Sequence, residues 1–141
     1  AGPTAASMEG HRYTKEVQVR YRDLDPMDHV NNAVHASYVE TARIGYYDEV
    51  LGLDFDDLSF MLAHLEFDYH RPIYADDTVV VGVSTTAVGD KSMTTEYTVE
   101  ASGDVASTGE SVQVAVDPDG RPTNVPGEWR EAIEEYEDVE L

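Results

Sequence analysis

A chain of 141 residues is of a size to fold as one domain around its own core. It has no cysteine, which excludes disulfides, thiolate nucleophiles and cysteine-held zinc. Its 29 acids against 9 bases give a formal charge of -20, which excludes nucleic-acid binding through a basic face.

Residues 1–7, AGPTAAS, are small and featureless, and are expected to be an added or disordered leader before a native start at Met8. A single domain is expected over residues 8–141. Tyr13 to Tyr21 alternates, with Val17 and Val19 opposite Gln18 and Arg20, and predicts a first strand. The polar stretch DLDPMDHVNN follows, residues 23–32, and Pro26 keeps it out of helix geometry. From Asn32 the period changes. Val34, Tyr38, Ala42, Tyr46 and Val50 recur every four residues and predict a helix of about five turns. Asn31 or Asn32 suits its N-cap, and Gly52 its left-handed end.

Residues 61–69 alternate again, with Met61, Ala63, Leu65, Phe67 and Tyr69 on one face and Leu62, His64, Glu66 and Asp68 on the other. Arg71-Pro72 ends this strand. Three more strands are expected at Thr78–Val88, Ser92–Glu100 and Val105–Val116, and a short acidic helix at Pro126–Tyr136. Strand, long helix, then four strands is an α+β order with a largely antiparallel sheet. The helix can cover one face, and a second copy of the chain is the simple cover for what remains.

Several motifs dissolve on inspection. GDKS, residues 89–92, lacks the glycine lead of a phosphate loop and sits between strands. DPDG, residues 117–120, lacks the spacing of a calcium loop. His64, Glu66, Asp68 and His70 share a strand face and could meet at a metal, but a half-solvated face is the simpler reading. The stretch 23–32 carries more. A helix start offers unpaired N–H groups and a partial positive charge, which can act as an oxyanion hole. A carboxylate held just before it can act as nucleophile or general base, with His29 between them as donor. An acidic turn capping its helix explains the same residues without chemistry.

VRYRDLDPMDHVNNAVHASYVETAR, residues 19–43, closely resembles the hotdog-fold acyl-CoA thioesterases of the 4-hydroxybenzoyl-CoA thioesterase family. Arg20, Tyr21, Asp23, Asp25, His29, Val30, Asn31, Asn32, Tyr38, Glu40, Ala42 and Arg43 match its pattern. The resemblance runs on to about Glu128. It implies a five-stranded antiparallel sheet wrapped around one long central helix. It implies hydrolysis of acyl-CoA without a cofactor, in a homodimer with sites at the interface; homotetramers are common in the family. Asp25 falls on the catalytic aspartate, and the Asn32 amide on the group that polarises the carbonyl. His29 matches a histidine of plant acyl-carrier-protein thioesterases. His35, Tyr38, His64 and Phe67 are expected to shape the acyl pocket. Arg71, Lys91 and Ser92 are candidates to meet coenzyme A. Asp28 departs from the usual glycine and His35 from the usual tyrosine; a left-handed φ at residue 28 would make aspartate tolerable. A non-catalytic acyl-CoA sensor and a hotdog dehydratase or hydratase remain as alternatives.

The charge reads as adaptation to a salty cytoplasm, since at about 1 M salt the screening length shrinks to about 3 Å. Disorder does not fit, because 41% of residues are hydrophobic and periodic. No apolar run reaches the roughly 20 residues that span a bilayer, so no membrane partner is expected.

Overall fold

Every alternating segment becomes a strand in the computed structural model, which describes residues 8, 10–53 and 59–141. The strands are β1 (Tyr13–Val17), β2 (Phe60–Tyr69), β3 (Val79–Val88), β4 (Ser92–Ala101) and β5 (Asp104–Ala115). The helices are α1 (Val34–Leu51) and α2 (Gly127–Glu137). One antiparallel sheet in the order β1-β3-β4-β5-β2 wraps around α1, the expected hotdog arrangement. The leader expected over residues 1–7 lies outside the described residues.

The core forms where α1 meets the sheet. Val39, Ala42 and Tyr46 of the helix and Val79, Val81, Val83 and Val99 of the strands are wholly buried. Gly52 ends α1 in the left-handed region at φ 67°, and its N–H reaches Asp48 O. α2 closes the far side: Ile133 is fully buried, and the Trp129 and Phe60 ring centroids lie 5.1 Å apart.

Two expectations need correction. β1 ends at Val17 rather than Tyr21, because the chain leaves β3 and makes one 3-10 turn at Tyr21–Asp23. β2 does not alternate throughout, because its register against β5 shifts between Leu62 and His64. That bulge holds one residue out of the ladder and flips the strand's start. Leu62 pairs with Gln113 and Leu65 with Ser111, so Phe60, Leu62, Leu65 and Phe67 face the helix while Met61 and His64 face away.

β5 inverts the usual pattern. Its helix-facing Ser111 and Gln113 are buried, whereas Val112 and Val114 look outward. On the outer face, His11 lies across Gly82 and bonds Ser84 Oγ at 2.6 Å and Thr98 Oγ1 at 2.8 Å. Among the described residues, no helix is long and apolar enough to cross a membrane.

Candidate active site

The polar stretch folds into a tight hairpin set against the start of α1. Leu24 bridges Val30, and the Asp25 N–H donates to His29 O at 2.8 Å. Asp28 N–H donates back to Asp25 O at 3.0 Å, closing a turn with Pro26 at its second position, where a fixed φ is favourable. Asp28 then adopts φ 65°, the left-handed residue that a three-residue hairpin of this kind requires. Glycine meets that need without strain, and aspartate tolerates it better than most residues. The structure thus accounts for the departure at residue 28.

The hairpin is held from three sides. Asp23 Oδ2 accepts from Arg20 N–H and from Tyr38 Oη, each at 2.8 Å. Asp23 O accepts from Asn31 N–H at 2.9 Å. Val30 N–H donates to Ile73 O at 2.7 Å, and the His29 ring lies edge-on to Tyr74 at 6.3 Å. Neither Ile73 nor Tyr74 stands out in the sequence, because their role depends on a segment more than forty residues away.

Asp25 sits inside this frame with its side chain 20% exposed. Its Oδ1 accepts from Met27 N–H at 2.8 Å, and its Oδ2 lies 3.2 Å from His29 Nδ1. The pair is close, but Nδ1 makes no hydrogen bond of good geometry among the described residues. The imidazole is thus in ionic contact with the carboxylate through Nδ1.

The helix start supplies the positive end. The N-cap of α1 is Ala33, not Asn31 or Asn32, and it has no side-chain bond of its own; Asn31 works just ahead of it, its Oδ1 accepting from Ala33 N–H at 2.9 Å and its O from Val34 N–H at 2.8 Å. Among the described residues no acceptor takes the Asn32 N–H, while Asn32 O is held by Tyr69 Oη at 2.9 Å. A groove of about 330 Å³ lies here, lined by His29, Asn32, Tyr69, His70, Arg71 and Pro72. Its aromatic wall is Tyr69, with His35 at 4.9 Å and Phe67 at 5.9 Å between ring centroids. His35 is buried, bonds Ser107 Oγ at 2.7 Å, and is pushed by burial to a pKa of about 4, so it is neutral near pH 7. Tyr69 was not among the expected site residues; its place in the alternation with Leu65 and Phe67 was the signal for it.

Of the remaining expected residues, Arg71 lines this groove and the others lie away from it. His64 faces the other side of the sheet, 2.8 Å from Glu66, and is no neighbour of Phe67 in a pocket. Tyr38 is buried against Asp23, where burial and that carboxylate raise its phenol pKa. It holds the loop, and it borders a separate groove of about 340 Å³ beside β1. Arg71 is spent on Asp77, at 3.1 and 3.2 Å, and on Ala101 O at 2.8 Å, and this pairing holds the Asp77 carboxyl at about 2. Lys91 and Ser92 lie at the opposite end of the sheet, about 30 Å along β4 from the end nearer Tyr69. His64, Glu66, Asp68 and His70 do not converge, and among the described residues no three such side chains gather as a metal site.

Comparison with known proteins agrees with this fold. Residues 19–133 match the family described as the thioesterase-like superfamily. A thioesterase from Thermus thermophilus, solved with coenzyme A and zinc, is 43% identical with a TM-score of 0.86, covering 93% of this chain and 98% of that one. A predicted thioesterase from Bacillus stearothermophilus is 25% identical with a TM-score of 0.81, covering 88% and 95%. The uncharacterized protein YsmA of Bacillus subtilis (strain 168) is 29% identical over 106 residues, 74% of this chain and 72% of YsmA.

Proposed function

This chain belongs to the thioesterase-like superfamily, and from that premise we propose that it hydrolyses acyl-CoA to a free acid and coenzyme A. The observation that carries the reading is a loop carboxylate, Asp25, in contact with His29, in the hairpin that leads into a helix whose Asn32 N–H lacks an acceptor among the described residues; His29 and Asn32 line one groove. The coenzyme A bound by the Thermus thermophilus relative supports the leaving group.

Hydrolysis needs charge stabilised on the carbonyl oxygen and a nucleophile at the carbonyl carbon. The Asn32 N–H and the positive end of α1 serve the oxygen. Asp25 serves the carbon, either taking a proton from a water that attacks it, or attacking it directly to form an anhydride that a water cleaves after the thiolate has left, freeing the acid and Asp25. The carbon–sulfur bond then breaks, and the departing thiolate takes a proton. His29, in contact with Asp25, is suited to steer that proton. Tyr69 bounds the acyl group, with the Phe67 and His35 rings packed against it.

We read the working form as at least a dimer, formed through β2. This strand is a sheet edge ten residues long, and Met61, Leu62 and Tyr69 on it are 51%, 44% and 44% exposed. Long apolar edges are templates for pairing with another chain. Two-fold pairing there would be antiparallel. It would bring Lys91 and Ser92 of the second copy toward the Asn32 end of this one, where they are suited to meet coenzyme A. The acidic surface fits a cytoplasm of high salt.

The test is turnover of an acyl-CoA panel followed by a thiol-trapping dye. Release of thiol from at least one acyl-CoA supports the reading. Tight binding without release favours an acyl-CoA sensor.

A further inference from the structure

Arg43 is a buried cation without a counter-charge. It is 8% exposed on the third turn of α1, and its Nη1 donates to Tyr97 Oη at 3.0 Å. Behind it runs a chain of neutral groups. Tyr97 Oη meets Ser111 Oγ at 2.6 Å, Ser111 donates to Gln113, and Gln113 Nε2 donates to Tyr47 Oη and Thr95 Oγ1, both at 2.8 Å. Among the described residues no carboxylate oxygen lies within 4 Å of Arg43. A guanidinium carries five N–H donors, of which Tyr97 takes one, and a largely buried cation with no counter-charge is costly.

The open side of Arg43 faces the unpaired edge of β2. Two adjoining cavities, of about 160 and 170 Å³, are both lined by Arg43, Glu40 and Leu62. Glu40 stands one turn before Arg43, is exposed, and makes no ion pair among the described residues. The groove thus carries one acid and one base, a turn apart, beside the strand edge where a second copy is proposed to dock.

We propose that Arg43 of each copy pairs with Glu40 of the other, closing the cavities between α1 and β2 at a two-fold interface. In an isologous interface, if residue i meets residue j then j meets i, so a single acid–base patch complements itself. Glu40 also argues for this occupant over an anionic acyl tail, because it borders both cavities and would repel a carboxylate. The proposal rests on the dimer read above, and supplies the charge that Arg43 lacks in a single chain.

Charge exchange tests it. Glu40→Arg and Arg43→Glu variants are prepared separately, mixed, and weighed by native mass spectrometry beside the wild type. Each variant alone should lose dimer at least about tenfold in dissociation constant. The mixture should form heterodimers in preference to either homodimer, because both pairs across the two-fold are then attractive. A pair within one chain would give no such preference. Glu40→Arg alters an exposed residue and carries the test by itself if Arg43→Glu does not fold. A Glu40→Arg dimer as tight as the wild type overturns the pairing and leaves the dimer standing. A monomeric wild type overturns both. An Arg43→Gln variant that stays dimeric, yet loses hydrolysis only of acyl-CoAs with a terminal carboxylate, also overturns it and assigns the cation to substrate.

Discussion

Tyr38 donates a 2.8 Å hydrogen bond to Asp23 Oδ2, and through that bond the second turn of α1 fixes the hairpin that presents Asp25. Tyr38→Phe removes the donor and leaves Asp23 with one remaining backbone partner at Oδ2, Arg20 N–H. Hydrogen bonds to charged groups contribute about 1.5–3 kcal/mol. The variant should lose roughly that much stability and fall about tenfold in kcat with a smaller change in KM. Equal losses in a steady-state comparison, or none, would remove Tyr38 from the positioning of the loop.

Gly109 is the floor on which Phe67 lies. A Cβ there would stand 2.7 Å from Phe67 Cδ1 and 2.8 Å from Glu66 O, and the backbone oxygen cannot swing away. Gly109→Ala should cost about 1–3 kcal/mol by overpacking, or roughly 3–10 °C in Tm for a domain of this size. It should also raise KM, since Phe67 belongs to the ring wall beside the groove. An unchanged Tm would show that β2 shifts freely over β5.

His35 makes stability depend on pH with a definite sign. Burial lowers its pKa from 6.5 to about 4, so between those values the unfolded chain takes a proton that the folded chain refuses. Stability is therefore full above about pH 6.5, declines as pH falls, and stops losing from this group near pH 4. His35→Gln keeps a hydrogen-bonding group near Ser107 and removes the titration. Its Tm should fall less steeply across that window than the wild type's. Parallel curves would contradict the assignment; His11, whose pKa burial also lowers, contributes equally to both.

Glu66, Glu110 and Glu96 stand directly opposite one another across β2, β5 and β4 on the outer face. Like charges so placed are destabilising by a few tenths to about 1 kcal/mol per pair in ordinary buffer. Together with the charge of -20, this predicts that Tm, dimer fraction and activity rise between about 0.1 and 2 M KCl. Glu110→Gln, at the centre of the row, should flatten the rise in Tm. A wild-type Tm that is flat or falling over that range would defeat the salt-adapted reading and leave the chemistry untouched.

What the sequence made legible was local. The fourfold recurrence from Val34 to Val50 set the helix, and Gly52 its end, because period and capping act within a few residues. Pro26 kept residues 23–32 out of the helix for the same reason, and a left-handed residue at Asp28 was foreseeable, but the hairpin they build was not read. The misread parts depend on distant partners. The shift near Ala63 turns the start of β2 over, and nothing in residues 61–69 reveals it. Ser111 and Gln113 face inward because Tyr97 and Tyr47 offer them hydrogen bonds, so hydrophobic alternation points the wrong way along β5. Arg71 was legible as a candidate base, but its hold on Asp77 and Ala101 beside the groove was not, because the fold brings them together.

The central claim is that Asp25 performs the chemistry at the start of α1, and replacing one oxygen tests it most directly. Asp25→Asn keeps the acceptor for Met27 N–H and the size of the side chain, but removes the charge needed for attack or proton removal. With the best substrate of an acyl-CoA panel, thiol release should fall at least about a hundredfold in kcat, with far-UV circular dichroism and Tm preserved. His29→Ala, measured alongside, should fall only about tenfold, as suits a supporting role. Turnover by Asp25→Asn close to that of the wild type would contradict the account.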